Sequence, residues 1–178
     1  MSRDDYLEMR SKSLAAVALV AALVSGCGAV SSIKNGGVTD PLTPEQSKAL
    51  VIDAANDIVS TLDLQAIEPA FWHASCNDQG DPPFRGQMRI GYPAATSFDA
   101  SEAEVAQMVQ RLQSKGWTTD SEFKSHGATL QKNGVVVVLG PQSAGDATRS
   151  VELFGECRDV TTTKDTKGSA EVVTLSRP

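Results

Sequence analysis

Cys27, Cys76 and Cys157 are the three cysteines of this 178-residue chain, and His73 and His126 are its two histidines. Thiolate and imidazole are preferred zinc ligands, and His73, Cys76, His126 and Cys157 would supply four. Their spacing argues against a metal site. His73 and Cys76 stand three apart, but His126 and Cys157 are 31 apart, too far for the local geometry of a closed motif. Nucleophilic chemistry is no better supported. Gly140-Pro141-Gln142-Ser143-Ala144-Gly145 comes near the Gly-x-Ser-x-Gly signature, yet proline stands where its first glycine belongs. Only His73 and His126 could serve as bases near neutrality with ordinary pKa values, and nothing in the sequence ties either to Ser143. There is no P-loop and no dinucleotide fingerprint. The chain therefore reads as a non-enzyme, with no catalytic residue, metal or cofactor assigned.

The third cysteine has a different context. Leu14 to Val24 is an eleven-residue run with no polar side chain, preceded by Arg10 and Lys12 and followed by Ser25 and Gly26. That pattern is a signal peptide, and the run is about half the roughly 20 residues a helix needs to cross a bilayer. Asp4, Asp5 and Glu8 are out of place in a cationic leader, so Met9 reads as the biological start. Val24-Ser25-Gly26-Cys27 resembles the lipobox of bacterial lipoproteins. The resemblance implies that Cys27 is lipidated on sulfur and becomes the first residue after cleavage, since a thiolate is the nucleophile that can accept a diacylglyceryl group. Two acyl chains then hold the chain on the extracytoplasmic side of the cell membrane. Outside the reducing cytosol paired thiols persist, so Cys76 and Cys157 are expected to form a disulfide. Closing a loop of about 80 residues contributes roughly 4–5 kcal/mol in the chain-entropy model.

Composition narrows the partners. The net charge is −6 and aromatic residues make up 5%. Neither a basic field for nucleic acid nor a set of stacking platforms is present. Membrane contact through the lipid is expected, together with an unknown envelope protein or a small apolar ligand.

The elements that must position these residues follow from period and caps. Thr43-Pro44-Glu45-Gln46 opens a helix running to about Leu62, with Val51, Ala55, Ile58 and Leu62 on its buried stripe. A strand follows over Phe71 to Asn77. Phe84, Gly86, Met88, Ile90 and Tyr92 then alternate with Arg85, Gln87 and Arg89. Arg85 and Arg89 project from one face of that strand, and with Phe84 and Tyr92 nearby they form a candidate binding patch. A second helix, capped by Asp99 or Ser101, carries Val105, Met108, Val109 and Leu112, and Gly116 stops it. Trp117 to Phe123 reads as extended. Asn133-Gly134 joins Ala128–Lys132 to Val135–Leu139 as a hairpin. "VVVVL" lacks alternation and is expected to be covered on both faces. A last strand over Val151 to Cys157 points Cys157 toward the side of its core residues.

The domains are then a signal peptide at 1–26, the lipidated cysteine and a Gly/Ser-rich tether at 27–42, a globular domain at 43–160 and a polar tail at 161–178. Within the tail, "EVVTL" could add an edge strand. The economical arrangement is α+β: two amphipathic helices on one face of a mainly antiparallel sheet of about five strands, a two-layer sandwich. "FWHASC", "PPFRGQM", "SKGW" and "ELFGEC", in that order, resemble small mycobacterial lipoproteins of the LppA-like or LppV-like kind. That resemblance implies an envelope location and no substrate or catalytic residue. Three roles remain: a binding or scaffolding domain, a carrier of a small apolar ligand held between helices and sheet, and, least supported, a hydrolase. Mass mapping of the N-terminal peptide of the protein from its native membranes is expected to find Cys27 first with acyl mass attached; an intact leader overturns the lipidation.

Overall fold

A computed structural model describes residues 37–119, 122–143, 145 and 147–176. Cys27, the leader and the tether as far as residue 36 lie outside them.

Helix α1 (Pro44–Leu62) starts as its sequence dictates. The Thr43 hydroxyl accepts from the Gln46 amide, the Gln46 side chain accepts from the Thr43 amide, and Pro44 occupies the first turn, where its missing N–H costs nothing. Val51, Ala55, Ile58, Val59 and Leu62 are buried. Helix α2 (Phe98–Gln113) begins a few residues earlier than Asp99 or Ser101 would place it. Ser97 is the cap, its Oγ accepting from the Ala100 amide at 3.1 Å. Ser101 is instead fully buried in the first turn, where its hydroxyl donates to the Phe98 carbonyl and accepts from the Gln142 amide. Gly116, at φ +88°, lets the chain turn out of the helix so that the Trp117 amide reaches the Leu112 carbonyl.

Seven strands form one sheet: β1 (Ile67–Ser75), β2 (Phe84–Pro93), β3 (Thr118–Thr119), β4 (Ala128–Lys132), β5 (Val135–Leu139), β6 (Thr148–Phe154) and β7 (Glu171–Val172). Their order is β3-β4-β5-β6-β2-β1-β7 and every paired neighbour is antiparallel. The expectation of about five strands is corrected to seven by two-residue strands at both edges, which are too short to leave a period in the sequence. β3 is what remains of the extended stretch expected from Trp117. β7, inside the segment read as a polar tail, pairs Val172 with Ala70 of β1.

Register decides which side chains share a face. Phe71 lies opposite Met88, Met88 opposite Leu153 and Leu153 opposite Val137, so the four form a row across β1, β2, β6 and β5. All are buried, in one cluster with Val51, Ile58, Val105, Met108 and Leu112 of the two helices. β5 departs from its expected burial: Val135, Val137 and Leu139 are buried, whereas Val136 and Val138 on the other face are only half-buried. That other face is lined by Arg85, Arg89, Glu152 and Phe154 of the strands, by loop residues, and by Phe98 at the start of α2.

Gly86 fixes how close α1 comes. Its amide donates to the Ser47 hydroxyl at 2.8 Å, and a Cβ there would sit 2.8 Å from the Ser47 carbonyl oxygen and 3.0 Å from the Phe71 ring. Its neighbour Gly155 donates to the Gly86 carbonyl at 2.9 Å and lies under Val51. Two small residues thus give the helix its seat on the sheet. At the far end, Asp57 of α1 accepts from Trp117 Nε1 at 3.0 Å and Lys132 Nζ at 2.9 Å, tying the helix to β4. Gly86→Ala is expected to lower the unfolding free energy by about 1–3 kcal/mol, read as an earlier urea midpoint with unchanged slope. An unchanged midpoint would mean that α1 does not rest on this glycine.

Candidate functional site

Cys76 and Cys157 are bonded, with Cα atoms 6.0 Å apart and a sequence separation of 81. Neither lies in a strand: Cys76 follows β1 and its amide donates to the Pro83 carbonyl, while Cys157 follows β6 by three residues. The expected strand to Cys157 stops at Phe154, although the Gly155 amide still donates to the Gly86 carbonyl one register step further on. With both thiols spent, His73 and His126 have no sulfur partner, and no group of three metal-ligating side chains occurs among the described residues.

The bond staples the chain beside Asp159, a residue that the sequence reading did not single out. Its side chain has no exposed surface. One carboxylate oxygen accepts from the amides of Thr161 and Thr162 and from the Thr161 hydroxyl, and the other accepts from the Thr162 hydroxyl. Burial opposes ionisation, but these hydrogen bonds outweigh it and hold the carboxyl below its usual range. The backbone of Asp159 is equally engaged, exchanging hydrogen bonds with Phe84 at 2.6 and 3.1 Å, while the Leu42 amide donates to the Arg158 carbonyl. Only the Thr-Thr pair hints at such a cradle in the sequence, and the same pair reads as a polar tail.

His73 stands above this carboxylate, its Nδ1 3.9 Å from Asp159 Oδ2 and without a hydrogen-bond partner. Phe71 meets the imidazole edge-to-face at a centroid distance of 5.0 Å. Burial lowers the His73 pKa below its ordinary 6.5, against the pull of Asp159, which raises it. The arrangement is a packed neutral histidine without a nucleophile.

The candidate patch is split by the pleat of β2. Phe84 and Tyr92 face the core and are 1% and 3% exposed, whereas Arg85 and Arg89 face the opposite side. Residues an odd number apart on one strand cannot share a face, so Tyr92 is withdrawn from the patch. Tyr92 instead stacks under Arg149, whose Cζ lies 4.5 Å from the ring centroid and whose guanidinium pairs with Glu104 at 2.5 Å. Burial pushes the phenol upward, with Arg149 acting the other way.

On the face opposite Phe84 and Tyr92, Arg85 lies over two rings, its Cζ 4.9 Å from the Phe154 centroid and 5.9 Å from that of Phe123. The two rings are 4.9 Å apart. Burial lowers the Arg85 pKa, and its Nε has no hydrogen-bond partner. Beside this stack runs an open groove of about 790 Å³, floored by Val138, Glu152 and Phe154 and bounded by Phe123–Gly127 and Gly140–Ser143. The second wall is pinned, because Gln142 Oε1 accepts from the Ala95 amide at 2.8 Å. Arg89 lines the groove; it and Glu152 are opposed in the strand register, yet no ion pair joins them. His126 and Ser143 both line it, and no hydrogen bond joins the two. Val138, Phe123 and Phe154 were not singled out by sequence; the lack of alternation in β5 was the signal available.

The described domain is α+β with one disulfide, and comparison by sequence supplies its class, a small lipoprotein. A family model described as "Putative lipoprotein LppJ" matches residues 43–176, and the chain belongs to that family. It is 35% identical over 171 residues to the "Putative lipoprotein LppJ" of Mycobacterium bovis, covering 89% of this chain and 87% of the relative. A relative of the same name in Mycobacterium tuberculosis (strain H37Rv) is 34% identical over the same length and coverage. The mycobacterial lipoprotein resemblance therefore holds, with LppJ in place of the LppA-like or LppV-like kind. No solved structure matches.

The lowered His73 pKa sets a pH dependence. The folded state favours neutral imidazole, so this group's contribution is complete above about pH 6.5 and is lost as pH falls toward the lowered folded value. Urea midpoints are expected to drop between about pH 7 and pH 5, and less so in His73→Gln. A midpoint that holds or rises on acidification overturns the assignment.

Proposed function

We propose that this chain is a lipid-anchored cell-envelope protein whose domain is a non-catalytic binding module, with the sheet face that carries Arg85 and Arg89 as its working surface. Membrane attachment through Cys27 on the extracytoplasmic side rests on the lipobox and on the lipoprotein family. In this reading the two helices close one face of the sheet in a two-layer arrangement, and the other is left for recognition.

The observation that carries the binding role is the groove beside Arg85, Phe123 and Phe154. Rings and a guanidinium stacked on an open face with half-buried valines beside them leave apolar surface at a concavity, the usual setting for a ligand. The carrier alternative, with a ligand between helices and sheet, is less well supported. Val51, Ile58, Met88, Ile90, Val105 and Met108 are packed together there and buried.

Native mass spectrometry of the protein released from host membranes tests the reading. The wild-type chain is expected to carry a non-covalent adduct, and Val138→Lys, which puts an ammonium on the groove floor, is expected to lose it while keeping the disulfide. Equal masses for both proteins, matching the bare lipidated chain, overturn the proposal.

A further inference from the structure

The chemistry of the groove specifies the kind of molecule it takes. Arg89 is exposed, and among the described residues its guanidinium has neither a hydrogen bond nor an ion pair. Glu152, opposite it in the strand register, is the acid among the described residues that line the groove. In a chain of net charge −6, an exposed guanidinium without a partner at a concavity is a place where an anion can gain a charge-assisted contact.

The rest of the groove is not suited to a bare anion. Its floor contains Val138 and Phe154, and Phe123 stands beside them. Phe98, the first residue of α2, lies at the groove 51% exposed. A phenyl ring left in water at a helix start costs hydration free energy unless something covers it. The volume of about 790 Å³ suits a molecule of roughly drug size, well beyond an inorganic ion.

We propose that this groove binds a monoanionic amphiphile, with a carboxylate on Arg89 and an aromatic or aliphatic body between Phe98, Val138 and Phe154. The guanidinium supplies two parallel N–H donors to the carboxylate, a geometry that an ammonium cannot match. This assignment rests on the binding role proposed above and adds the ligand class to it.

Photolabelling of the full chain in membranes from expressing cells tests the two separately. The probe is 4-benzoylbenzoate, and 4-benzoylbenzamide is its uncharged counterpart of the same shape. Mass mapping is expected to place the carboxylate probe on peptides holding Phe123–Gly127 and Gly140–Ser143, with about tenfold less labelling by the amide. Arg89→Gln is expected to lower carboxylate labelling to the level of the amide, and Arg89→Lys to restore only part of it. Arg89 is exposed and outside the core, so neither change endangers folding. Equal labelling of the groove by both probes, unaffected by Arg89→Gln, overturns the anion class and leaves the binding role standing. Labelling of neither wall by either probe overturns both.

Discussion

The buried carboxylate of Asp159 is the constraint on which much of this domain depends. A charge with no exposed surface is tolerated only if nearly every lone pair is engaged, and here the amides and hydroxyls of Thr161 and Thr162 engage them. Satisfying one side chain therefore dictates the course of the chain that follows it. Its backbone meanwhile pairs with Phe84 at the start of β2 and neighbours Leu42 just before α1. Three segments distant in sequence converge on one residue, and the Cys76–Cys157 bond lies two positions away.

That convergence explains why the segment after residue 160 is more than a polar tail. Once the Asp159 cradle has turned the chain, residues 171–172 can run beside β1, and Lys48 of α1 reaches Glu171 at 2.6 Å. Exposed pairs of this kind contribute little alone. Val173 and Leu175, packed against the main cluster, supply apolar contact as well. The family match extending to residue 176 agrees with a domain that includes this segment.

Features legible in the sequence were those in which cause and effect are local. The Thr43–Gln46 capping box, the Asn133-Gly134 hairpin, the alternation of β2 and the stripe of α1 each depend on residues a few positions apart. The disulfide was legible for a different reason, elimination among three cysteines in a chain that reads as exported. What stayed hidden is non-local. Phe123, Arg85 and Phe154 meet only because β2 and β6 are neighbours in the sheet, and no pattern within any one strand announces it. Tyr92 was misplaced by proximity in sequence: it is three residues from Arg89, and an odd offset on a strand means the opposite face. Ser97 lost to Asp99 and Ser101 because three residues able to cap occur within five positions, and the fold, not the local sequence, chooses among them.

The placement of Leu42 has a mechanical meaning. Any pull arriving along the chain from its N-terminal side enters the described domain beside the Leu42–Asp159 bridge, where Arg158 also clasps the Asp40 carbonyl. That bridge is parallel, with the Leu42 amide donating to the Arg158 carbonyl at 2.9 Å. From Cys157 the force has a covalent route to Cys76 and hence to the end of β1. A domain held at one end and exposed to drag would deform last in the corner where its first and last thirds are fastened together, leaving the opposite edge of the sheet, at β3, unstressed.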